Sequence, residues 1–93
     1  MLGSYGHSEG HNTIAYGQAS HAEGFGTKTG FDSSDDNPGT AAHAEGVSSQ
    51  ASGYASHAEG NGTIASGDHS HAEGARSIAK GVAAHAEGVD SVA

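Results

Sequence analysis

The chain has ninety-three residues and a formal net charge of −8, from eleven acids against Lys28, Arg76 and Lys80. That balance excludes nucleic acid and anionic membrane as natural partners, because both reward Lys and Arg. There is no cysteine, so disulfides and thiolate metal sites are excluded, and no apolar run approaches a membrane span or the core of a signal peptide. Hydrophobic residues make up 33%, most of them alanine, which leaves little for a core of large side chains.

Taken in order, the residues fall on one grid. A worn unit, Gly6-His7-Ser8-Glu9-Gly10, comes first. Fuller copies follow at 20–24, 42–46, 56–60, 70–74 and 84–88, each reading Ser or Ala, then His-Ala-Glu-Gly. Their histidines, at 7, 21, 43, 57, 71 and 85, are fourteen residues apart except for one gap of twenty-two. A strict short period is the mark of a solenoid, in which each repeat is one coil. Each fourteen splits into two sevens of the form x-x-small-φ-Ala-x-Gly, the odd ones at 11–17, 25–31, 47–53, 61–67 and 75–81. Residues 89–93 open another odd seven, so 1–93 reads as a single repeat domain and as a fragment of a longer fibre.

Glycine at every seventh residue opposes helix, at about 1 kcal/mol each relative to alanine. The five residues small-φ-Ala-x-Gly alternate as a short strand, and glycine with the next two residues makes a turn. Two strands and two turns close one coil. Coils stack in parallel about 4.8 Å apart, so six give a rod on the order of 30 Å. The predicted fold is therefore all-β, a parallel β-roll of 14-residue coils. Positions 3, 5 and 7 face inward, where only small side chains fit, which makes Ala15, Ala22, Ala44, Ala51, Ala58, Ala65, Ala72, Ala79 and Ala86 the interior. Positions 4 and 6 face out. One outer face carries every His-x-Glu; the other carries Ile14, Lys28, Gln50, Ile64, Ile78 and Val92. The break in period is local: residues 32–39 are eight extra residues, acidic and ending in Pro-Gly, and read as a loop insertion. Asp32, Asp35, Asp36 and Asn37 offer oxygens to calcium, but the EF-hand and calcium-roll spacings are absent, so a solvated loop is expected.

On a strand, His and Glu two residues apart share a face. Stacking turns them into files of His over His and Glu over Glu, and the neighbouring imidazoles offset the repulsion between glutamates. The long even strand barely varies while the odd strand tolerates Ile, Lys, Gln and Val. A freely solvated surface has no reason to repeat one pair so strictly. The expected subunit interface is therefore His7, Glu9, His21, Glu23, His43, Glu45, His57, Glu59, His71, Glu73, His85 and Glu87. Carboxylate neighbours favour charged histidine, so the ladder histidines are expected to titrate above their ordinary value unless desolvation wins. Metal is the weaker reading. One strand offers two ligands per coil where four are usual, so no cofactor is expected, and His21, Glu23, His57, Glu59, His71 and Glu73 are the candidates were an ion held. No nucleophile, base and orienting group converge, and a dyad copied six times is not what catalysis needs, so no enzyme is expected. His11 and His69 read as solvated turn residues.

The half-repeat, best seen in Thr63-Ile64-Ala65-Ser66-Gly67 and Ser77-Ile78-Ala79-Lys80-Gly81, resembles the head repeats of YadA-like trimeric autotransporter adhesins. The resemblance covers nearly the whole chain apart from 32–39. It implies a left-handed roll, against the usual crossover hand, assembled as a homotrimer. It implies a non-catalytic structural and adhesive head segment of a surface fibre, extracellular, with a host extracellular-matrix protein or cell-surface receptor as partner and no membrane contact by this segment. The even halves depart from the family, with His-Ala-Glu in place of the commoner aliphatic pair. Similar His-Ala-Glu-Gly repeats occur in phage or prophage tail-fibre-like proteins, also trimeric, which gives a tail-fibre or spike segment on a virion as the alternative. A metal- or ice-binding roll is a further one; ice binding wants a flat Thr-x-Thr ladder, and only Thr27-Lys28-Thr29 is present.

Overall fold

The structure, a computed structural model, describes residues 5–30 and 40–93. The insertion expected at 32–39 lies outside those residues. Long and short strands alternate along the described chain, with no helix among them. The long strands are β1 (His7–His11), β3 (His21–Phe25), β5 (His43–Val47), β7 (His57–Asn61), β9 (His71–Ala75) and β11 (His85–Val89). The short ones are β2 (Ile14–Ala15), β4 (Lys28–Thr29), β6 (Gln50–Ala51), β8 (Ile64–Ala65) and β10 (Ile78–Ala79). Long strands form one six-stranded sheet in the order β1-β3-β5-β7-β9-β11, and short strands a five-stranded one in the order β2-β4-β6-β8-β10. All pairing is parallel, and each residue lies beside its own counterpart one coil on, His57 with His71 and Glu59 with Glu73. Across the twenty-two-residue gap the register is the same, His21 with His43. This is the parallel β-solenoid that the period predicts.

The two sheets enclose a column of alanine. Ala15, Ala22, Ala44, Ala51, Ala58, Ala65, Ala72 and Ala79 are wholly buried, and Ala86 is 3% exposed. Position 3 is buried too, but it is polar for a reason. Ser20, Ser56 and Ser70 donate their hydroxyls to the carbonyls of Gly17, Gly53 and Gly67 three residues back, at 2.6, 2.8 and 2.6 Å. Thr63 Oγ1 donates to Ser49 Oγ at 3.0 Å and faces the Glu59 carbonyl at 3.1 Å, while Ser77 donates to the Gly88 carbonyl at 2.9 Å. These hydroxyls satisfy backbone acceptors at the corners, where the strand ladders stop.

Strand lengths differ from the pattern read in the sequence. Even strands keep five residues but are shifted by one, from the histidine through glycine to the first residue of the next seven. Glycine at φ +103° to +114° keeps the ladder going there. A side chain on Gly60 would strike the Gly74 carbonyl oxygen, so this column cannot carry a Cβ. Odd strands have two residues, because the turn at their end closes early: Ser70 N–H donates to the Gly67 carbonyl at 3.2 Å.

The second residue of every described seven is left-handed, with φ between 54° and 70°. Only Gly26 and Gly62 among these are glycine; the rest include Ala19, Ala41, Ala55, Ala83, His69 and Arg76. This twist turns the N–H along the stack. His69 N–H donates to the Tyr54 carbonyl of the coil before at 2.7 Å, and Arg76 N–H to that of Asn61 at 2.8 Å. The corners thereby stay hydrogen-bonded from coil to coil.

Two substitutions test this geometry in opposite directions. Ala55→Gly is expected to stabilise: left-handed strain of about 1–2 kcal/mol on alanine exceeds the roughly 0.5–1 kcal/mol that glycine loses in chain entropy. Gly60→Ala is expected to abolish the cooperative melt. A melting temperature unchanged by Gly60→Ala would refute the close approach.

Candidate functional site

The long strands hold the chemistry. Period two puts His and Glu of each strand on the outer face, with alanine, or Ser8 in β1, between them. All twelve residues expected on that face lie on the long-strand sheet, in register. Imidazoles stack along the file with ring centroids 4.6 to 4.8 Å apart; from His21 to His85 they are within 9° of parallel. His21, His43, His57 and His71 each face two carboxylates, one from their own strand and one from the coil before, whereas among the described residues His7 meets Glu9 alone and His85 meets Glu73 alone. His71 Nε2 lies 3.6 Å from Glu73 and 3.7 Å from Glu59. His57 Nε2 lies 3.8 Å from Glu45 and 3.9 Å from Glu59. The His43 to Glu23 contact, 3.4 Å, falls within hydrogen-bonding range. Side chains inside the stack are about one-third exposed, while His7, at 60%, and His85, at 51%, are the open ends.

This linkage was only half visible in the sequence. The sequence pairs each His with the Glu of its own strand. The structure adds the Glu of the preceding coil, so the two files interlock as one alternating chain of opposite groups. Nε2 of His21, His57 and His71 is buried and without a hydrogen-bond partner.

At the centre of the file the expected titration is reversed. Desolvation pushes His57 below the ordinary histidine value of 6.5, helped by His43 and His71 on either side; Glu59 and Glu73 pull it up but do not win. Desolvation raises Glu23, yet its contact with His43, together with Glu45 and the charge of His21, leaves it below the ordinary carboxylate value. The expectation of a raised histidine held only if desolvation lost, and at His57 it does not lose.

Two edge features were missed. Arg76 holds Asp90, its counterpart one coil on, with two contacts of 2.6 and 3.1 Å, both groups exposed. The contact raises the Arg76 pKa and lowers that of Asp90. His11 ends β1 and stacks on Phe25 at 4.9 Å, and His69 meets Tyr54 edge-on at 5.7 Å, so neither is merely solvated. For two of these pairs the signal was available: Arg76 and Asp90, and His11 and Phe25, are each fourteen residues apart at one grid position.

The YadA head domain repeat matches the sequence twice, at residues 44–70 and 72–93, just over half of the chain. The chain belongs to the YadA head domain repeat family. No curated protein matches it. YadA head repeats are structural adhesin domains rather than enzymes, and they mark this chain as a segment of trimeric autotransporter adhesin type. The YadA-type repeats matched here include β6, β7, β8, β10 and β11 whole, and β1 to β4 continue the same register outside the matched spans.

The titration directions set a pH profile for the metal-free protein. A histidine whose pKa is lowered on folding contributes stability that is full above its unfolded value and is lost as pH falls through the folded one. For His57 that window lies below 6.5. Glu23, also lowered, loses its contribution in the same direction at more acid pH. The melting temperature is expected to fall from pH 8 to pH 5, and His57→Gln to flatten the upper part of that slope. A protein that melts higher at pH 5 than at pH 8 would contradict it.

Proposed function

We propose that the chain is a non-catalytic structural and adhesive head segment of a trimeric surface fibre, displayed outside the cell. Three left-handed rolls would pack side by side, with a host matrix protein or cell-surface receptor as the partner. The observation that carries the reading is the interior. The buried apolar core of the described residues consists of ten alanines and no larger aliphatic or aromatic side chain. Ordering each residue costs on the order of 1–2 kcal/mol, and apolar burial returns about 25 cal/mol per Å². A thin roll with so small a core needs a neighbour, and membership of the YadA head repeat family supports three copies.

The long-strand sheet is the proposed contact between rolls. It is in register, and its outward pairs scarcely change from coil to coil, while the short-strand face alternates Ile, Lys and Gln. Phe25, Val47 and Val89, exposed by 53%, 43% and 67%, line one rim of that sheet. Covering them adds to the contact.

Sedimentation equilibrium is expected to give three times the 9.1 kDa chain mass. A stable monomer at micromolar concentration would overturn the reading. Carbodiimide labelling of the assembled protein should modify Asp68 and spare Glu45, Glu59 and Glu73; rapid labelling of those glutamates would move the contact to the other sheet. Binding to host matrix protein supports the adhesin, whereas binding to bacterial envelope instead would make the segment part of a phage tail fibre.

A further inference from the structure

We propose that the outer face of the long-strand sheet binds divalent transition-metal ions, each held by one glutamate and the histidines of two successive coils. The interlocked files bring three donors together where one strand supplies two. His21, Glu23 and His43 form one such set, and His57, Glu59 and His71 another; the donor atoms of each set lie within 4.8 Å of one another. All six side chains are half-buried. The donors of a set come from one chain, so the inference does not rest on the trimer.

The spacing suits an ion better than it suits a hydrogen bond. Glu59 presents one oxygen 3.9 Å from His57 Nε2 and the other 3.7 Å from His71 Nε2. These gaps exceed the 2.7–3.2 Å or so of an N–H···O bond. Donors on a tetrahedral ion with bonds of about 2.0–2.1 Å stand roughly 3.4 Å apart. Small rotations of the Glu59 side chain close that difference. The rings of His57 and His71, 4.8 Å apart and within 2° of parallel, have to tip toward each other. Water completes the coordination.

A second observation points the same way. Nε2 of His21, His57 and His71 is buried and without a hydrogen bond, facing carboxylate oxygens. A neutral imidazole with its lone pair at Nε2 meets only acceptors there. A cation between nitrogen and carboxylate satisfies both. Imidazole with carboxylate suits zinc, nickel or copper, whereas calcium and magnesium prefer all-oxygen sites.

The arrangement also fixes the stoichiometry. Four such sets occur among the described residues, but His21 is shared by two of them and His71 by the other two. One Nε2 lone pair serves one ion. Two ions per chain is therefore the ceiling for these sets, one in each half of the file.

The test is isothermal titration calorimetry of untagged, chelator-treated protein with zinc chloride, with calcium chloride as the contrast. Two zinc ions per chain are expected to bind saturably, and calcium not at all. His57→Gln with His71→Gln should remove one of the two and leave the site at Glu23. His11→Gln with His69→Gln should leave both. Cobalt substituted for zinc should show the intense visible bands of a tetrahedral site. The proposal is overturned if zinc gives no saturable heat, or if binding survives the ladder substitutions and is lost with His11 and His69. Light scattering on the same samples reads the assembly separately: a monomer that still binds two ions would sink the trimer and leave the metal site standing.

Discussion

Everything in this fold follows from parallel stacking in register at one narrow separation of two sheets. Each residue lies directly over its own counterpart, so any side chain is repeated as a column. Inside, the separation admits alanine and short hydroxyl residues and little else, and the hydroxyls double as partners for corner carbonyls. In the glycine column of the long strands there is no room even for a Cβ. Outside, the same rule would place carboxylate on carboxylate. Parallel files of histidine and glutamate, joined crosswise between coils, are how this chain lives with that consequence.

Much of this was legible because periodicity is a geometric statement. The spacing of His21, His43, His57, His71 and His85 fixes the coil, and alternation within Ser-His-Ala-Glu-Gly fixes which side chains turn inward. The alanine column is where the pattern puts it. Other features were not written in residue type. Left-handed corners are usually read from Gly or Asn, yet Ala19, Ala41, Ala55 and Ala83 occupy them, and the N–H groups of Ala41, Ala55 and Ala83 are held by hydrogen bonds to the coil before that no local propensity encodes. Strand bounds differ for the same reason: Gly60, read as both the end of the strand and the start of the turn, lies inside the strand with an unusual φ.

The candidate site was half legible. Pairing of His and Glu on one strand follows from period two, but the contact from His71 back to Glu59 depends on the reach of a glutamate side chain across a coil step. The sign of the His57 titration depends on how deeply the stacked rings are desolvated, which spacing does not reveal. At the margins of the sheets the like-on-like columns relax. Arg76 beneath Asp90 replaces repetition with complement, though an exposed pair of this kind adds little to stability.

The pairing of His21 with His43 carries one more consequence. The chain between β4 and β5 is longer than any other connection, yet the coil above sits where it would have sat without it. Position along the roll is thus counted in rungs and not in residues. A corner of this kind is an insertion port: evolution, or an engineer, can load sequence there while the rungs above and below keep their height and heading.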